Sequence, residues 1–113
     1  KYGFQTKVIN DKKIFSILKL SKQYGIQVID TAQSYGSAEI KLGKYKKINF
    51  KFITKISNLK YITHNKILDI IESSKTNLKV NKIDCLMFHD YREFTKKKIS
   101  FTKNVFKNAR KTL

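Results

Sequence analysis

The chain has 113 residues, 41% of them hydrophobic, which is enough for one ordinary domain with one modest core. Its 25 lysines and arginines against 8 aspartates and glutamates give a formal charge of +17, but the lysines run through every segment and form no basic stripe interleaved with aromatics, so specific nucleic-acid binding is not expected. No run approaches the roughly 20 apolar residues of a membrane span, no hydrophobic leader precedes Lys1, and a lone cysteine excludes an internal disulfide, so the expectation is a soluble, cytoplasmic chain without a membrane association.

The segment from Asp11 to Tyr24 places Ile14, Ile17, Leu18 and Tyr24 at helical spacing, and Gly25 is suited to end that helix in a left-handed turn. A short strand, Ile26 to Asp30, follows. Ser37 is expected to cap a second short helix, with Glu39 as a first-turn charge and Gly43 closing it. Phe50 to Lys55 reads as the next strand. Thr63 is expected to cap a third helix with Ile67, Ile71, Ser74 and Leu78 on one face, and a strand from Ile83 to Phe88 comes after it. Within that strand Cys85 is expected to be a buried small side chain with no redox or metal role. From Lys96 onward Phe101, Val105, Ala109 and Leu113 predict a fourth helix, while His64 is expected at the surface. With no Gly/Ser linker, low-complexity tract or short repeat, residues 1–113 read as a single domain.

Strands alternating with helices imply a parallel α/β fold, either a doubly wound sheet or a (β/α) barrel. No glycine-rich turn follows any strand, which weakens the dinucleotide-binding version of the first. An ionisable residue ends each predicted strand: Asp30, Lys55 and His89. In barrel enzymes that end of the strands carries the chemistry, because the following loops converge there on one pocket. Tyr35, five residues past Asp30, is close enough to turn back to the same mouth.

Asp30, Thr31, Ala32, Gln33, Ser34, Tyr35 and Gly36, then Glu39, Leu42 and Gly43, resemble the signature of the aldo-keto reductases. Phe52 to Lys55 and Ile83 to His89 follow in the family's order. The resemblance runs from about Tyr2 to Phe94 and implies part of a TIM (β/α)8 barrel, roughly strands 2 to 4 and helices 1 to 4, incomplete at both ends. It also implies NADP(H)-dependent reduction of a small aldehyde or ketone. The sequence is most similar to bacterial members found beside surface-sugar biosynthesis, which puts sugar derivatives among the expected substrates.

By this resemblance Tyr35 is the general acid, Lys55 the cation beside it, Asp30 the partner that holds the lysine, and His89 the residue that orients the substrate. A phenol with an ordinary pKa of about 10 is a poor acid at neutral pH unless a cation stands beside it. Taken singly, Asp30 would be a loop cap, Tyr35 a rim aromatic, Lys55 a surface lysine and His89 a structural histidine; their joint order favours the catalytic reading. Asp90 and Arg92 are candidates for the substrate mouth. The residues that contact the cofactor's pyrophosphate and adenosine are expected mostly in a C-terminal half beyond this sequence, so none is assigned here, and no metal is expected. The chain is accordingly expected to be a fragment, inactive alone and prone to self-association through open strand edges. The alternative reading is a small basic α/β module that binds nucleic acid or another polyanion, recognisable by steep salt dependence. A barrel lyase using Lys55 as a Schiff base is weakened by the adjoining tyrosine motif.

Overall fold

The computed structural model describes residues 9–57, 63–90, 92 and 107. Helix α1, Asp11–Gln23, starts where Asn10 adopts an extended backbone and its side-chain oxygen accepts the Lys13 N–H at 2.9 Å. Tyr24 is its C-cap, and Gly25 turns left-handed at φ 85°. The Gly25 N–H then reaches the Lys22 carbonyl and the Ile26 N–H the Ser21 carbonyl, so two otherwise orphaned acceptors are filled. The apolar stripe is narrower than its spacing implied: Leu18 is buried and Ile14 half-buried, while Ile17 and Tyr24 face solvent.

Strand β1 is Val28–Asp30, shorter than expected because Ile26 is committed to the helix cap. A 3-10 turn, Gln33–Tyr35, leads to helix α2, Ala38–Gly43. One expectation for α2 is corrected: Ser37 stands at the N-cap position but makes no side-chain cap bond, since its backbone has already left the extended region. Gly43 ends the helix as expected, with Lys44 after it still right-handed. Glycine is required there by crowding: a β-carbon on residue 43 would lie 2.1 Å from the Asn77 carbonyl oxygen.

A second 3-10 turn, Lys46–Ile48, precedes strand β2, Lys51–Ile56. Helix α3, His64–Leu78, is capped as expected by the Thr63 side chain on the Lys66 N–H, and Ile67, Ile71, Ser74 and Leu78 are all buried along one face. Strand β3 is Cys85–Phe88. It begins after Ile83 and Asp84 because the Asp84 carboxylate, not a strand partner, takes the Phe52 N–H at 3.0 Å. The expected fourth helix, with Phe101, Val105, Ala109 and Leu113, lies outside the described residues.

The three strands form one parallel sheet in the order β1-β2-β3. Chain order without reversal has no topological switch point, which is the winding of a barrel wall and not of a doubly wound sheet. Alternation decides the two faces. Phe52, Thr54 and Ile56 of β2 and Leu86 of β3 are buried toward the helices, where one cluster joins Ile56, Ile67, Ile71 and Leu86 and another joins Leu18, Phe50, Phe52, Leu78 and Ile83. The other face carries Val28, Ile53, Cys85 and Met87. Cys85 is therefore exposed, contrary to expectation, since its strand parity turns it away from the helices.

Candidate active site

The register of the sheet places the ionisable strand-end residues as a staircase on the face away from the helices. Asp30 pairs with Ile53, two residues before Lys55; Lys55 pairs with Met87, two residues before His89. Each residue thus stands one pleat period further along than the last, the stagger that a barrel wall requires of tilted strands. The His89 N–H is held by the Ile56 carbonyl at 2.8 Å and the Thr31 N–H by the Ile53 carbonyl at 2.9 Å, so ladder bonds continue to the very residues that flank the site.

Lys55 reaches back down this staircase. Its ammonium forms an ion pair with the Asp30 carboxylate and lies 3.3 Å from the Thr31 carbonyl oxygen. The lysine side chain is 14% exposed and the aspartate 59%, so an enclosed cation is neutralised by an open anion. Burying an ammonium without such a partner is costly, which explains why the pair forms.

Tyr35 enters from the 3-10 turn. Its N–H bonds the Ala32 carbonyl at 3.0 Å, and Gly36 follows at φ 64°, a value that favours glycine and lets the chain leave immediately for α2. The Lys55 ammonium stands 5.5 Å from the centre of the Tyr35 ring. The Tyr35 and His89 rings meet edge to face, with centres 5.9 Å apart and planes at 79°. All four residues singled out in the sequence are therefore together at one mouth, at the C-terminal ends of the strands.

Sequence reasoning missed the layer behind them. Glu39 stands in the first turn of α2 as expected, but it is 2% exposed and accepts the Thr54 hydroxyl at 2.7 Å and the Asn77 amide at 3.3 Å. Gln33 donates its side-chain amide to the Ile70 carbonyl at 2.8 Å and to the Ser74 hydroxyl at 3.0 Å. Both residues fall inside the recognised motif, but their partners lie far along the chain, so local pattern held no signal for the contacts. The Thr31 hydroxyl is buried and finds no hydrogen-bond partner among the described residues.

Asp90 and Arg92 form a two-pronged pair just past His89, at 2.7 to 3.0 Å, and the carboxylate raises the guanidinium pKa further. Arg92 is thus committed to Asp90 at the rim. The side chain of His64 lies outside what is described. Among the described residues no helix is long and apolar enough to cross a membrane, and no group of three or more His, Cys, Asp or Glu side chains is placed to hold a metal ion.

The sequence matches the aldo/keto reductase family over residues 1–109. No curated protein matches it. Among solved structures, one named "Putative aldo-keto reductase from Pseudomona aeruginosa" is similar with a TM-score of 0.74 at 18% identity, covering 94% of this chain and 46% of its own. A second of the same kind from the same organism gives a TM-score of 0.72 at 18% identity, covering 96% of this chain and 46% of its own. The chain thus spans about half the length of the structures it matches, and the likeness shows the fold to be part of the (β/α) barrel seen in them.

Proposed function

Because the chain belongs to the aldo/keto reductase family, we propose that it carries the proton-transfer site of an NADP(H)-dependent enzyme that reduces an aldehyde or ketone to an alcohol. The observation that carries this reading is the Lys55 ammonium, paired with Asp30 and placed 5.5 Å from the Tyr35 ring centre. A carbonyl oxygen gains negative charge as its carbon is reduced, so the site needs a proton donor and fixed positive charge on the oxygen side.

Tyr35 donates its phenolic proton to that oxygen. The charge left on the tyrosine oxygen is balanced by Lys55, which Asp30 keeps aimed into the mouth. His89, edge-on to Tyr35, orients the carbonyl by a hydrogen bond. A sugar derivative is a fitting substrate class, since an open-chain sugar presents a small carbonyl with hydroxyls that an exposed polar mouth accommodates.

Reduced nicotinamide, when bound, supplies the hydride. The donor set described here fits the carbonyl end of such a reaction. It is not assigned to the nucleotide end, and the chain spans about half the length of the structures it matches. Cofactor phosphates would have to be held by other parts of the enzyme, and this chain alone is expected to be inactive. Cytoplasmic residence agrees with a reaction that draws on that nucleotide pool.

The test is NADPH oxidation against a panel of aldehydes and ketones by the enzyme containing this segment, with Tyr35→Phe as control. Loss of a general acid is expected to lower kcat by roughly 10²–10⁴. Turnover undiminished in Tyr35→Phe would remove Tyr35 from the chemistry.

A further inference from the structure

We propose that Gln33 is a positioning residue that clamps the turn carrying Tyr35 onto helix α3; this rests on the reading of Tyr35 as the proton donor. The turn is only three residues long, Gln33–Tyr35, and needs an external anchor. Tyr35 is 36% exposed, and its ring meets His89 edge to face and the Lys55 ammonium, so where the turn sits decides whether these contacts are made. Gly36 behind it, at φ 64° and with open space around its α-carbon, offers no restraint on that side.

Gln33 supplies the restraint. Its side-chain amide is the donor in two bonds to one helix, 2.8 Å to the Ile70 carbonyl and 3.0 Å to the Ser74 hydroxyl, across 37 and 41 residues of sequence. Those acceptors are one helical turn apart and so lie on the same face of α3. That helix is itself fixed, because Ile67, Ile71, Ser74 and Leu78 are buried against the sheet that bears Lys55. The phenol and the ammonium are thereby referenced to a common rigid body. A misplacement of about 1 Å between reacting groups can cost about 10²-fold in rate, so a two-bond anchor two residues from the phenol has direct leverage on kcat.

Glutamine suits this task for a chemical reason. An acceptor-only side chain would face a carbonyl oxygen, and an apolar one would leave the buried Ser74 hydroxyl short of a partner. The bond from the Tyr35 N–H to the Ala32 carbonyl, at 3.0 Å, closes the 3-10 turn on itself, whereas the Gln33 amide ties the turn to a distant helix.

The experiment uses the full enzyme with Gln33→Met, close in length but without donors, and Gln33→Asn, which keeps the amide but is one methylene short. Two readouts are taken: kcat and KM with a turned-over carbonyl, and the nuclear Overhauser contact between the selectively labelled Tyr35 and His89 rings. Both variants are expected to weaken that ring contact and to lower kcat by tenfold or more, with KM changed less than about twofold. Adding Ser74→Ala to Gln33→Met should cost little more, because the two act through one contact. An intact ring contact with unchanged kcat in both variants would overturn the proposal. Loss of the ring contact with unchanged kcat would leave the clamp standing and overturn the reading of Tyr35 as the acid, so the two claims fail separately.

Discussion

The Lys55 ammonium is enclosed, yet the Asp30 carboxylate that neutralises it is mostly open to solvent. Such a pair falls between two regimes. Exposed ion pairs contribute about 0–1 kcal/mol, whereas removing one partner of a buried pair costs about 3–5 kcal/mol. Asp30→Asn is isosteric and retains an acceptor, so the loss should sit nearer the lower bound, at about 1–2 kcal/mol of site organisation. Read as activity, kcat/KM of the enzyme should fall roughly five- to thirtyfold. Asp30→Ala should fall further. Equal activity in wild type and both variants would show that the Thr31 carbonyl alone suffices to hold the lysine.

Gly43 should not tolerate alanine. In an exposed helix the change would be favourable by about 1 kcal/mol, since glycine is the poorer helix former. Here the added carbon would sit 2.1 Å from the Asn77 oxygen and 3.0 Å from the Leu78 carbonyl carbon, both backbone atoms that cannot swing away. Overpacking costs of about 1–3 kcal/mol or more therefore win. Gly43→Ala should lower the thermal midpoint by several degrees, and urea denaturation would check it; an unchanged or raised midpoint would mean that α2 and α3 separate freely.

What was legible in the sequence follows from where each signal is stored. Asp30, Lys55 and His89 could be found because each stands at or beside the end of an apolar strand, and the two-residue alternation puts them on one face. Tyr35 needed only a short turn to join them. Glu39 looked like a helix-dipole charge because the residues that bury and satisfy it, Thr54 and Asn77, are 15 and 38 positions away. Cys85 was misplaced for a related reason: an apolar run reads as buried on both faces, but only the helix-facing side of this sheet is covered among the described residues.

Asp11 and Lys44 offer a pH-dependent link between α1 and the end of α2. The lysine ammonium lies 2.7 Å from the carboxylate and lowers the Asp11 pKa below its ordinary 3.8, while the carboxylate raises Lys44 above its ordinary 10.5. The carboxylate's contribution is present above its unfolded pKa and lost as pH falls through the lowered folded value. The lysine's contribution is present below its unfolded pKa and lost as pH rises through the raised one. Both groups are at the surface, so the effect should be small and should shrink with salt. Thermal midpoints of wild type, Asp11→Asn, Lys44→Gln and the double variant, compared near neutrality and at acid pH, should show coupling only near neutrality.

Val28 and Met87 are 42% and 44% exposed on the strand face opposite the helices, and β1 and β3 each pair only with β2 among the described residues. We expect the isolated chain to self-associate through this face, and the charge of +17 makes the salt dependence diagnostic. Like-charged copies repel over a Debye length of about 30 Å at 0.01 M salt but only about 8 Å at 0.15 M, so association should strengthen as salt is added. Binding of a polyanion by the lysines would do the opposite, because counterion release makes such affinity fall with salt. Sedimentation velocity across this range separates the two directions. Val28→Lys with Met87→Lys should hold the chain monomeric at every salt concentration, since each places a charge on the apolar face; persistence of the oligomer in that variant would move the contact to the strand edges, where backbone pairing and not side-chain burial would be responsible.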